Sequence, residues 1–276
     1  MKTILFASDL DQTLIYSYRM ITNEIEKQLL AVEWLNDRYI SYMTQNAFRK
    51  LKEISQKILF VPVTTRTKLQ YRRINFLGSK DLIQYAVTSN GGTIFCRGIE
   101  DEEWTNHVLK GIADCADSQD VINKFNELSD PSWVIEDSGK LADNLFYYCL
   151  IERGKIPLAE IADFKTWVKE NNWELSVQGR KLYLVPRNVN KRSAILYIKQ
   201  KEGMSRLLAA GDSILDFDLL HSADLGIAPA HGELYAQYLQ GISGLEKIRF
   251  TQMSGIAAAE EILNIVMESL CEKSVG

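Results

Sequence analysis

The sequence predicts an α/β fold: a doubly wound, mostly parallel sheet interrupted by an inserted α+β domain. Three observations lead there: short, near-continuous apolar runs that suit strands buried on both faces, helical periodicities between them, and a change of pattern from about residue 93 to 185. At about 150 residues per domain, a length of 276 residues suggests roughly two domains. The composition, 46% hydrophobic and 25% charged, is that of an ordinary globular protein. Lys+Arg 32 against Asp+Glu 36 gives a net charge of −4, which excludes the strongly basic surface of a non-specific nucleic-acid binder. No stretch approaches the roughly 18 apolar residues of a membrane span, and the apolar run at 4–7 is too short for a signal peptide. A cytoplasmic protein with neither nucleic-acid nor membrane partners, and a monomer or weak dimer, is therefore expected. Cys96, Cys115, Cys149 and Cys271 form no CxxC pair, and His107, His221 and His231 are dispersed, so neither a disulfide framework nor a zinc site is expected.

Taken in order, Thr3-Ile-Leu-Phe-Ala-Ser8 forms the first strand and runs directly into Asp9-Leu-Asp-Gln-Thr-Leu14. Two β-prone arms between 30 and 43 flank Asn36-Asp37 and predict a hairpin that projects as a flap. Thr44 is a suitable N-cap for a helix over 45–56, where Phe48, Leu51, Ile54 and Ile58 recur at helical spacing. The next strand, 59–63, ends in Thr64-Thr-Arg66 and contains Pro62, an awkward residue for a central strand. A helix over 67–77 and a strand over 83–88, ending in Ser89-Asn-Gly-Gly92, complete the first half of the core, residues 1–92. The insert, 93–185, mixes helices at 104–128 and 157–171 with β-prone runs at 144–151, 173–177 and 181–185, the last two joined by a turn at Gln178-Gly-Arg-Lys181. The core resumes over 186–276 with a helix at 191–200, a strand at 207–210 ending in Gly211-Asp-Ser213, a short helix at 215–221, a strand at 224–228 and a last helix at 256–270. In such sheets ligands bind beyond the carboxyl ends of the strands, where four of these five strands carry polar clusters.

Asp9 and Asp11 stand two apart on a turn, and Asp212 and Asp216 add acids at a second strand end. Crowded carboxylates favour a bound cation or a raised pKa, and hard oxygen donors without Cys or His suit Mg²⁺. With the hydroxyl of Thr64 and the cation of Lys191, these groups suit phosphoryl transfer, in which a carboxylate attacks while cations stabilise the phosphoryl oxygens.

In that order and at those strand ends, Asp9-Leu-Asp-Gln-Thr-Leu14, Thr64, Lys191 and Gly211-Asp-Ser-Ile-Leu-Asp216 resemble the four motifs of the haloacid dehalogenase (HAD) superfamily. The α+β insert between the second and third motifs resembles the C2-cap branch of Cof-type and sucrose-phosphate phosphatases, with a Rossmann-like core. The resemblance implies Asp9 as nucleophile, Asp11 as general acid and base, Thr64 on the phosphoryl group and Lys191 offsetting charge. It also implies Mg²⁺ held by Asp9, the Asp11 main-chain carbonyl and Asp212, with Asp216 ligating directly or through water. Thr65, Arg66 and Asn90 are candidate substrate contacts. Gln12, Thr65 and Arg192 stand where the family usually has glycine, which bears on pocket shape. The implied activity is Mg²⁺-dependent hydrolysis of a small phosphorylated metabolite, in the first place a sugar phosphate, through an aspartyl-phosphate. A phosphosugar mutase and a non-catalytic metabolite-binding module are the alternatives.

Overall fold

The structure is a computed structural model that describes residues 3–21, 28–75 and 83–271. β1 (Ile4–Ser8) is followed by the antiparallel pair β2 (Leu29–Leu35) and β3 (Arg38–Thr44), then α1 (Gln45–Lys57), β4 (Leu59–Pro62) and α2 (Lys68–Tyr71). Three short antiparallel strands come next: β5 (Tyr85–Thr88), β6 (Thr93–Cys96) and β7 (Ile99–Glu100). The middle of the chain holds α3 (Glu102–Ile112), α4 (Ser118–Asn126), β8 (Lys140–Ala142), β9 (Phe146–Leu150), α5 (Leu158–Glu170), β10 (Trp173–Gln178) and β11 (Lys181–Pro186). The last third runs α6 (Lys191–Lys201), β12 (Arg206–Ala210), α7 (Phe217–Ser222), β13 (Leu225–Ala228), α8 (Gly232–Leu239), β14 (Ile248–Phe250) and α9 (Ile256–Cys271).

Among the described residues, strands in the order β14-β13-β12-β1-β4 make one parallel sheet. Phe6, Ala7 and Val61 are fully buried, as an apolar run covered on both faces requires. Helices α1 and α9 contribute Leu51, Ile54, Ile262 and Val266 to the same core cluster as Phe6 and Phe60. The Thr44 hydroxyl does cap α1, accepting from Ala47 N at 3.0 Å. Pro62 is accommodated because alternation turns its nitrogen away from β1, while its neighbour Val63 donates to Ser8 O at 2.8 Å. The expected strand at 83–88 is not a member of this sheet. It shortens to β5, pairs antiparallel with β6, and touches the main sheet through the Val63–Val87 bridge. β14 takes the fifth place; at three residues it is too short to show a periodicity.

Asn36 and Asp37, both at positive φ, form the tip of the expected hairpin. Its base is no free flap: Val32 and Met43 lie in the core, and Tyr16 and Tyr42 exchange backbone hydrogen bonds. The expected helix at 104–128 is two, because Asp117 starts α4 afresh as an N-cap. Of the expected helix at 67–77, the described part is α2, and residues 76–77 lie outside the described residues.

The chain divides into two compact units, Met1–Asp101 with Lys191–Gly276, and Glu102–Asn190. These limits differ from the expected insert of 93–185 for identifiable reasons. β6 and β7 pair with β5 and so stay with the first unit. Arg187 N donates to Asn172 O, and the Asn188 side chain donates to Gly111 O, which holds 187–190 in the second. That unit contains an antiparallel sheet in the order β10-β11-β9-β8, packed on α4 and α5 through Phe125, Phe164, Trp173 and Leu184. No helix among the described residues is long and apolar enough to cross a membrane.

Candidate active site

The candidate site lies in the first unit, where the carboxyl ends of β1, β4 and β12 meet the start of α6. Register fixes the strands: Ser8 faces Ala210 on one side and Pro62 on the other, so Asp9, Thr64 and Asp212 all follow at one end of the sheet. Asp9 N donates to Ala210 O at 2.9 Å, and the chain then turns so sharply that Leu14 N and Ile15 N both reach Leu10 O, at 2.9 and 2.8 Å. Gln12 sits in this turn at φ 61°, the left-handed region that glycine occupies without strain. His231 takes up the resulting geometry, with Nε2 2.9 Å from Gln12 O and Nδ1 3.1 Å from Gly255 N. Since Gly255 N–H must donate, Nδ1 is an acceptor and Nε2 carries the proton given to Gln12. Burial, partly opposed by the Gln12 carbonyl, lowers the His231 pKa and favours this neutral form.

Lys191 is the first residue of α6 and is 1% exposed. Its Nζ lies 2.6 Å from Asp9 Oδ1 and 2.6 Å from Asp216 Oδ1. The second Asp216 oxygen accepts from Ser213 Oγ at 2.7 Å and Ser213 N at 3.1 Å, so Lys191 and Ser213 hold this carboxylate from both sides. Gly211 allows the approach: a Cβ there would lie 2.4 Å from Asp216 Cγ. Gly232, at φ +84°, does the same for Asp212, whose carbonyl would lie 2.7 Å from an added Cβ.

Ligand oxygens of Asp9, Asp212 and Asp216 all lie within 4.8 Å of one another, and all three residues are buried. Burial, opposed by Lys191 and reinforced by Asp216 and Asp11, pushes the Asp9 carboxyl up to about 7. Burial, with Asp9 and Asp216 adding to it, holds Asp212 well above the usual carboxylate range. The Lys191 ammonium is disfavoured by burial, but Asp216 and Asp9 outweigh this and raise its pKa. Three crowded carboxylates facing one ammonium, with hard oxygen donors alone, fit a divalent cation of the Mg²⁺ class.

Thr64 is fully buried; its Oγ1 accepts from Arg66 N at 3.1 Å. The loop after β5 is stitched to it by Asn90 N to Thr64 O at 3.0 Å and Ser89 N to Arg66 O at 2.8 Å. Ser89 and Asn90 are buried and both left-handed, at φ 53° and 57°, an arrangement that stores strain beside the site. Thr65 is half-buried in the intervening turn. Arg66, an expected substrate contact, grips Asp11: Nε and Nη2 each lie 2.7 Å from one carboxylate oxygen.

The structure thus brings Asp9, Lys191, Asp212 and Asp216 into one cluster, stitches Thr64 to Asn90, and pairs Asp11 with Arg66. Ser213, His231 and Glu33 support this arrangement and escaped the sequence reading. Ser213 stood inside a quoted motif, whereas His231 and Gln12 are 219 positions apart and carry no local signal.

Residues 2–264 match the family model described as sucrose-6F-phosphate phosphohydrolase. No curated protein matches the chain. Among solved structures, the sucrose-phosphatase from Synechocystis sp. PCC6803, in complex with sucrose and phosphate, is 18% identical with a TM-score of 0.64, covering 97% of this chain and 98% of that one. Thermoplasma acidophilum 0175 is 12% identical with a TM-score of 0.60, covering 97% and 99%. A HAD subclass IIB sugar phosphatase is 14% identical with a TM-score of 0.56, covering 98% and 99%. These identities speak for a shared fold, and the family match along nearly the whole chain decides membership: the protein belongs to the sucrose-6F-phosphate phosphohydrolase family.

Proposed function

We propose that the protein is an Mg²⁺-dependent phosphomonoesterase that hydrolyses a sugar phosphate through an aspartyl-phosphate, with a phosphorylated disaccharide of the sucrose phosphate type as the first candidate. The observation that carries this reading is the buried contact of Lys191 with both Asp9 and Asp216, beside Asp212. A carboxylate and a phosphate dianion at ~4 Å repel by about 8 kcal/mol at an effective dielectric of about 20, so attack needs positive charge already in place. Lys191 supplies part of it, and Asp216 and Ser213 keep Lys191 from moving. Asp9, Asp212 and the Asp11 main chain would hold Mg²⁺, which when bound neutralises charge shared by the nucleophile and the phosphoryl oxygens.

Asp9 attacks phosphorus, the bond from phosphorus to the sugar oxygen breaks, and Asp11 gives that oxygen its proton. Asp11 then takes a proton from water as the water attacks the phosphorus of the acyl phosphate, which releases inorganic phosphate and regenerates Asp9. In this reading the Thr64 hydroxyl donates to a phosphoryl oxygen. The test is phosphate release from sucrose 6-phosphate, other sugar phosphates and p-nitrophenyl phosphate, with Mg²⁺ and with chelator. Turnover that requires Mg²⁺ and is lost in Asp9→Asn is expected; wild-type turnover in Asp9→Asn would overturn the mechanism.

A further inference from the structure

Glu33 lies on β2, outside every motif quoted above, and is a fully buried carboxylate. Its Oε1 is 2.8 Å from Arg66 Nη1 and 3.0 Å from Arg73 Nε, and its Oε2 accepts from Ser41 Oγ at 2.6 Å. The opposite edge of the same Arg66 guanidinium holds both oxygens of Asp11. A β-bulge lies beside Glu33: the register with β3 shifts on either side of it, the first shift leaving Val32 extra on β2 and the second leaving Ile40 extra on β3, and Val32 and Glu33 are both buried. The backbone of Glu33 also bridges Ile74, so the hairpin is tied to the Arg66 segment by main chain and by charge.

We propose that Glu33 is a positioning residue for the acid–base step, acting through Arg66 on Asp11; this rests on the reading of Asp11 as the general acid. The Asp11 side chain is 47% exposed and stands on the turn next to left-handed Gln12. Glu33, within ion-pair distance behind the guanidinium, keeps Arg66 from withdrawing from Asp11, and the Nε–Nη2 fork orients the carboxylate it faces. Stability alone is a poor account of such a buried carboxylate, since apolar residues of similar volume often serve as well in place of a buried ion pair. In the step concerned, one Asp11 oxygen carries the proton and turns from Arg66 to the leaving oxygen while the other stays on Arg66; the bond from phosphorus to the leaving oxygen breaks as the proton moves to it.

A leaving group that needs no proton separates this role from simple structural damage. Nitrophenolate departs unprotonated, whereas the alkoxide of benzyl phosphate requires the acid, and kcat/KM reports the phosphoryl transfer that expels either one. In Glu33→Gln, kcat/KM for benzyl phosphate is expected to fall roughly tenfold or more, with less than about a threefold fall for p-nitrophenyl phosphate. Ser41→Ala, which removes a single hydrogen bond to Glu33, is expected to show the same split at smaller size and serves if Glu33→Gln does not fold. An equal fall on both substrates, or none on either, would overturn the inference. Wild-type protein inert on both substrates in Mg²⁺ would instead overturn the phosphatase mechanism, and this inference with it.

Discussion

Lys191 and Arg66 each lie between two carboxylates, yet the two clamps are built for different tasks. Lys191 is 1% exposed, is a compact point charge, and touches the proposed nucleophile itself. Arg66 is planar and touches the proposed acid, with a half-exposed carboxylate on one side and a buried one on the other. A point charge compensates charge from any direction, whereas a fork specifies orientation. On the proposed roles, the comparison teaches that charge compensation and proton alignment fall to different cations on different elements.

The strongest way to break the comparison is to remove each cation. Lys191→Met should lower phosphate release by about 10² to 10³-fold and destabilise the protein by roughly 3 kcal/mol in urea denaturation near neutral pH, because Asp9 and Asp216 lose their shared partner in the interior. Arg66→Met should cost less stability, about 1–3 kcal/mol, because Arg73 and Ser41 still satisfy Glu33 and water reaches Asp11. If Arg66→Met proved the more destabilising, the hairpin and not the lysine would be the main electrostatic support.

The acidic cluster on the Lys191 side also gives a pH signature. Asp9 is raised to about 7 and Asp212 is raised too, so the metal-free folded state binds more protons than the unfolded chain between about pH 4 and 7. Their contribution to stability therefore falls as pH rises through that window. Mg²⁺ takes the ionised form, so the rise in Tm on adding it should be larger at about pH 7.5 than at about pH 5. Equal shifts at the two pH values would contradict the assignment of these acids as the metal site. Smaller effects belong to the scaffold. Thr44→Ala should cost about 1 kcal/mol through loss of the α1 cap. Gln12→Gly should change stability by less than about 1 kcal/mol, since relief of the left-handed strain is offset by a more flexible unfolded chain. Both are read from urea denaturation midpoints.

Much of the Lys191 side was legible in the sequence, because its groups sit in short motifs at strand ends. β1, β4 and β12 announce themselves as apolar runs, and the parallel register then carries Asp9, Thr64 and Asp212 to one end of the sheet. The Arg66 side was not. The hairpin itself could be read from its two arms and Asn36-Asp37, but strict alternation would turn Val32 and Glu33 to opposite faces. Both are buried at an irregularity in the register, and a bulge has no signature in an acidic residue flanked by apolar ones. β5 shows a similar limit: its composition identifies a strand, but not that its partners are β6 and β7.

By itself, then, the sequence determined the α/β core, the order of its motifs and the acids, hydroxyl and lysine at the strand ends, because these follow from local apolar patterning and from residue types at short spacing. The tertiary structure decided what those groups hold: Lys191 on Asp9 and Asp216, Arg66 on Asp11 and Glu33, and His231 on the Gln12 turn. The physical reason is range. Such contacts join residues dozens to hundreds of positions apart, and they form only when sheet register, a bulge and a left-handed turn have set the backbone that carries them.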